Sequence, residues 1–261
     1  MLQLVGVDVC IYQKLILIFR VNKKGYIMNS TRLTLEEWAT LWRSAREDSH
    51  HDCAKVLNIW KINPAKYCGD TNYLRKIVLG YRKNSPNYAG EKKYEKALLD
   101  GEFPHLINVQ NGKFLRLHIN HHAVALANKK SGQTITDCMG VLYQSNGKRH
   151  PIAIEIKENA NNPWYAVVEV LQQIRLMRAG VKGLKQYFKS RVKIDDVKGA
   201  WGMVLAPDDY YAKDTGNAEG SYAAACELCE YMIKNKTEAR VIMASIDLGI
   251  IKYKAGYWPG R

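Results

Sequence analysis

The feature that most limits how this chain can fold is a pair of apolar, β-branched runs, Ile135 to Tyr143 and Pro151 to Lys157, separated by Ser145-Asn146-Gly147-Lys148. Runs of this kind around Asn-Gly read as a β-hairpin, because Asn and Gly tolerate the positive φ that tight turns demand. In the second run Ile152, Ile154 and Ile156 alternate with Ala153, Glu155 and Lys157. Side chains on a strand point alternately to its two faces, so the isoleucines share one face, and Glu155 and Lys157 are forced together on the other.

Beyond the hairpin the periodicity changes. A helix is expected over Trp164 to Ala179, a strand over Ala200 to Ala206, a helix from about Ser221 to Lys234 and a strand from Arg240 to Leu248. The first of these helices serves as a crossover and makes the Ala200 strand parallel to a neighbour. Ahead of the hairpin, Tyr88 to Asp100 reads as a helix stopped by Gly101, and Phe114 to Ile119 as a strand. The resulting fold class is α/β, with a mixed central sheet flanked by helices.

The first third reads differently. Leu35, Trp38, Leu41, Trp42 and Ala45 recur at helical spacing over Thr34 to Glu47, and Thr34 with Glu37 forms a capping box. Further helices are expected over Cys53 to Ile62, ending before Pro64, and over Tyr73 to Tyr81. The loop signal Asn84-Ser85-Pro86-Asn87 divides a mostly helical N-terminal region, 1–84, from a main domain, 85–261. Residues 1 to 27 offer strand candidates at Leu2 to Val9 and Leu15 to Val21; Asp8 and the lack of a small-residue cleavage pattern argue against a secretory signal.

Charge narrows the partners. Lys and Arg total 39 against 25 Asp and Glu, and the net charge of +14 favours a polyanion such as nucleic acid. No run approaches the roughly 20 apolar residues of a membrane span, so no membrane partner is expected. Arg175, Arg178, Lys182 and Lys185, with further basic residues interleaved by Tyr187 and Phe188, form a candidate phosphate-tracking surface or, alternatively, a solvated helix end. Six irregularly spaced cysteines fit reduced thiols in a cytoplasmic protein. Cys53, Cys68 and the C-x-x-C of Cys226 and Cys229 are read as ordinary buried thiols, with an iron–sulfur site as the alternative. His118, His121 and His122 lack a carboxylate at zinc-like spacing and are read as structural.

Whether an acid on the first hairpin strand joins Glu155 depends on the turn. A two-residue Asn-Gly loop sets Asp137 opposite Ile156, on the wrong face; a three-residue loop with Gly147 left-handed pairs Gln144 with Lys148 and sets Asp137 opposite Glu155. In the second case two carboxylates meet, and Mg²⁺ or Mn²⁺ would relieve their repulsion through hard oxygen ligands. Such an ion can polarise a phosphodiester, while Lys157 orients or deprotonates the attacking water. The plainer alternative is a surface salt bridge between Glu155 and Lys157.

These residues resemble the PD-(D/E)XK nuclease superfamily, whose pattern is an acid on one strand and E-x-K on the next. Thr136-Asp137 stands where that family has Pro-Asp, and Glu155-Ile156-Lys157 matches E-x-K in full. The resemblance covers roughly residues 88 to 210 and implies a restriction-endonuclease-like core, a Mg²⁺ or Mn²⁺ cofactor held by Asp137 and Glu155, and Lys157 at the reacting phosphate. It also implies an extra metal ligand on the preceding helix, for which Glu95 is preferred over Glu91. On the following helix it implies a catalytic glutamine, for which Gln172 is preferred over Gln173, beside Tyr165 and Glu169 as in the RecB-like branch.

The expectation is a metal-dependent DNA nuclease of defence, restriction or repair type. A catalytically inactive nucleic-acid-binding module of the same fold and an RNA-directed nuclease are the alternatives. Oligomeric state stays open, with a homodimer among the options.

Overall fold

The structure, a computed structural model, describes residues 35–64, 91–100, 106–108, 114–125, 135–144, 146–158, 162–180, 199–212, 220–247 and 250–257. The strand candidates before residue 28, the 73–81 helix, the 84–87 boundary, Cys68, Lys182 and Lys185 lie outside them. Helix α1 spans Leu35–Arg46, α2 Cys53–Lys61 and α3 Glu91–Asp100. Then come β1 Leu106–Asn108, β2 Phe114–Ala125, β3 Ile135–Tyr143 and β4 Arg149–Ile156. Helix α4, Pro163–Ala179, leads to β5, Trp201–Pro207, and the short α5, Asp208–Ala212. The last elements are α6 Ser221–Lys234, β6 Arg240–Asp247 and β7 Ile250–Gly256.

Strands β2 to β7 form one mixed, strongly curled sheet in sequence order, and three-residue β1 bridges its two edges to close a barrel. The β2–β3, β3–β4 and β6–β7 pairs are antiparallel, whereas β4–β5 and β5–β6 are parallel. The α/β class and the parallel crossover through α4 follow the sequence. Closure does not: β1 and β7 carry no strong strand signal, and β7 exposes Ile250 while burying Ile251.

The barrel interior is apolar. Ile152, Ile154 and Ile156 of β4 meet Met203, Leu205, Ile242, Ile246 and Ile251 inside, with Leu98 of α3 packed against them. The other face of the sheet carries Met139, Val141, Ala153, Val204 and Met243, covered by α4 and α6. Helices α1 and α2 add Trp38, Trp42, Val56 and Ile59 to this same outer core. The N-terminal helical pair is therefore continuous with the core of the main domain. Trp164 fixes the join by donating Nε1–H to Ala45 O at 2.9 Å.

Two glycines shape the outer layer. A Cβ at Gly202 would fall 2.1 Å from Val170 Cγ1, so only glycine lets α4 lie this close to β5. Gly147 has φ +78°, donates its N–H to Gln144 O at 2.9 Å, and sits in a loop where Gln144 N–H meets Lys148 O at 2.9 Å. This is the three-residue loop, and the register it sets runs from Tyr143↔Arg149 to Cys138↔Ile154. Among the described residues no helix is long and apolar enough to cross a membrane.

Candidate active site

One step past the last β3–β4 bridge, Cys138↔Ile154, the register sets Asp137 opposite Glu155. Here the ladder opens and side chains replace it. Thr136 Oγ1 lies 2.9 Å from Cys138 O and 3.1 Å from Ile154 O, and Ile156 N–H donates to Asp137 Oδ2 at 2.8 Å. Both acids stand on the face covered by α4, in step with Met139 and Ala153. The opening lies at the carboxyl ends of parallel β4 and β5, the end of such sheets where ligand crevices form.

Lys157 and α4 complete the arrangement. Lys157 Nζ donates to Glu155 Oε1 at 2.6 Å and lies 3.1 Å from Glu169 Oε2, near enough for an ion pair but not aligned as a hydrogen bond. Gln173 Nε2 donates to the other oxygen of Glu155, Oε2, at 2.7 Å. Glu169 Oε1 in turn pairs with Arg46 Nη1 at 2.8 Å. Arg46 reaches two more α4 groups, Gln172 Oε1 at 2.9 Å and Tyr165 Oη at 3.5 Å.

Burial sets the electrostatics. It pushes the Asp137 carboxyl up to about 6 against the pull of the Ile156 N–H and Lys157, with the Glu91 and Glu169 charges pushing the same way as burial. Burial, then Asp137 and Glu169, hold Glu155 well above the ordinary carboxyl range despite Lys157. For Lys157 burial pulls downward, but Glu155, Glu169 and Asp137 overcome it and raise the ammonium above its usual value. It is therefore a firmly protonated donor. Tyr210 of α5 lies within electrostatic reach of Lys157, Glu91 and Glu169, and burial keeps its phenol neutral.

The expected residues are distributed as follows. Asp137, Glu155 and Lys157 come together. Of the two glutamines, Gln173 is on Glu155 and Gln172 is on Arg46. Of the two α3 acids, Glu91 acts on Asp137, whereas buried Glu95 acts on Cys138, which faces the barrel interior. Arg175 Nε–H is bound to Trp60 O at 2.8 Å, and Arg178 Nη2 pairs with Glu238 at 2.7 Å, so both spend donors on the protein itself. Burial raises the thiols of Cys53, Cys226 and Cys229 and keeps them protonated. Arg46 and Tyr210 carry no sequence pattern that marks them.

The donor chemistry fits a hard divalent cation: two carboxylates held above their ordinary values first by burial, with Asp137 adding to the rise at Glu155, Glu169 acting on both and Glu91 on Asp137. Among the described residues no group of three or more His, Cys, Asp or Glu is gathered as a metal cage. The Lys157 ammonium reaches both Glu155 and Glu169 and supplies positive charge between them. No family model, curated protein or solved structure matches the chain.

Proposed function

We propose that this chain is a divalent-metal-dependent nuclease with a restriction-endonuclease-like core that hydrolyses DNA phosphodiester bonds. The observation that carries the reading is the convergence of Asp137, Glu155 and Lys157 on one face at the open end of the β3–β4 ladder, with Gln173 fastening Glu155. Asp137 and Glu155 would hold the ion, and the net positive charge of +14 suits a polyanionic substrate. Bound Mg²⁺ or Mn²⁺ supplies Lewis-acid polarisation of the phosphodiester and neutralises the paired acids.

The chain's own residues do the rest. Gln173 fixes the rotamer of Glu155 by donating to Oε2, which leaves Oε1 turned toward Lys157. Asp137 is fixed by the Ile156 N–H. Lys157, held protonated by its acidic neighbours, orients the attacking water and offsets charge on the pentacoordinate phosphorus; it is a donor rather than a base.

A second reading has its own observation. Both oxygens of Glu155 are engaged by side chains, which suits a catalytically inactive nucleic-acid-binding module. Incubating the purified chain with plasmid, linear DNA, single-stranded DNA and RNA, with and without Mg²⁺ or Mn²⁺, separates the options. The proposal expects DNA cleavage only when the ion is present. Turnover of RNA alone would make it an RNA-directed nuclease, and salt-sensitive binding without turnover would make it a silent module.

A further inference from the structure

We propose that Arg46, on α1 and outside the stretch that carries the nuclease pattern, is a positioning residue that sets Lys157 through Glu169. The guanidinium is 2.8 Å from Glu169 Oε1, and the other oxygen of the same carboxylate is 3.1 Å from Lys157 Nζ, which is itself 2.6 Å from Glu155. One carboxylate thus holds two cations, and the position of either depends on the other. Without Arg46, Glu169 would be free to turn both oxygens onto Lys157 and draw the ammonium off Glu155.

Arg46 is itself held tightly. Its Nη2 is bound to Gln172 Oε1 and its guanidinium lies 5.3 Å from the Tyr165 ring centre, so one residue grips α4 at three successive turns' worth of partners. The preceding residue, Ala45, is tied to α4 by the Trp164 indole. Arg46 Nε is buried and meets no acceptor among the described residues. The two terminal nitrogens, Nη1 and Nη2, are nonetheless both aimed at α4, at Glu169 and Gln172.

The kinetic part of the test rests on the nuclease reading, and the spectroscopic part does not. Arg46→Met is expected to lower kcat for Mg²⁺-dependent cleavage by about 10- to 100-fold, the usual effect of losing a group behind a direct participant, with KM for DNA near wild type. Arg46→Lys should recover part of the loss, since an ammonium reaches Glu169 but cannot also hold Gln172. Because Arg46 acts through Glu169, the Arg46→Met/Glu169→Gln double variant should be no slower than the slower single variant. Additive losses, or a change confined to KM, would overturn the proposal. If the wild type proves inactive, the Lys157 side-chain ¹⁵N resonance, assigned by its disappearance in Lys157→Met, still decides: a shift in Arg46→Met supports the coupling, and an unmoved resonance in a folded variant refutes it.

Discussion

At Asp137 the cost of burial opposes the gain from the Ile156 N–H, and burial wins, taking the carboxyl from 3.8 to about 6. A group whose folded value is raised contributes stability below its unfolded value, and that contribution is lost as pH rises through the folded value. The metal-free protein should therefore lose stability between about pH 4 and 6 on account of Asp137, in the same direction as Glu155. A divalent ion that binds the ionised acids would restore it. Thermal unfolding with roughly 10 mM Mg²⁺ is expected to raise Tm more at pH 8 than at pH 5; equal shifts would count against Asp137 and Glu155 as the ligands. Gln173→Ala should cost more activity than would follow from its stability loss of roughly 1 kcal/mol, because it frees Glu155 to rotate. Glu155 and Lys157 were legible as a pair because strand alternation is strict, whereas the face of Asp137 hung on the loop length and the choice between Gln172 and Gln173 was not legible. Adjacent helical residues differ by about 100° in direction, and α4 is buried on nearly all sides, so its amphipathic phase says little.

At the scale of elements, the hairpin turn and the α4–β5 contact position the site. Gly147→Ala places a side chain at φ +78° and should cost about 1 kcal/mol, leaving the register intact. Deleting Gly147 leaves a two-residue Ser145-Asn146 loop between Gln144 and Lys148, which keeps Asp137 opposite Glu155, so the expected loss is again of stability rather than of register; chemical denaturation alongside activity assays checks this. Gly202→Ala would drive a methyl into Val170 beside Glu169, with an expected cost of about 1 to 3 kcal/mol and reduced cleavage. Adding Val170→Ala removes the closest clash but leaves Ile174 Cδ1 at 2.8 Å, so it should recover only part of the activity. The hairpin was readable from its Asn-Gly turn, but two registers stayed open in the sequence, and left-handed Gly147 with Gln144 bonded to Lys148 selects the three-residue loop. Strand β2 was expected to stop at Ile119, yet it continues to Ala125 past an irregularity between Ile119 and His121, which breaks the alternation that would have announced it.

At the scale of the whole molecule, Arg46 lies 123 residues from Glu169 in the chain, and no local pattern encodes such a contact. Only the packing of α1 against α4 creates it. The same scale governs the basic residues: Arg178 is paired with Glu238, so Arg178→Ala should change DNA affinity by less than about threefold while wild-type binding falls steeply with salt. The most direct test is single-turnover cleavage of plasmid DNA by wild type and Glu155→Gln, each confirmed folded by circular dichroism. Wild type should cleave only with Mg²⁺ or Mn²⁺, and Glu155→Gln should be slower by about 100-fold or more, the scale of losing a direct electrostatic participant. Undiminished Mg²⁺-dependent cleavage by Glu155→Gln would contradict the assignment of Glu155 to the metal site.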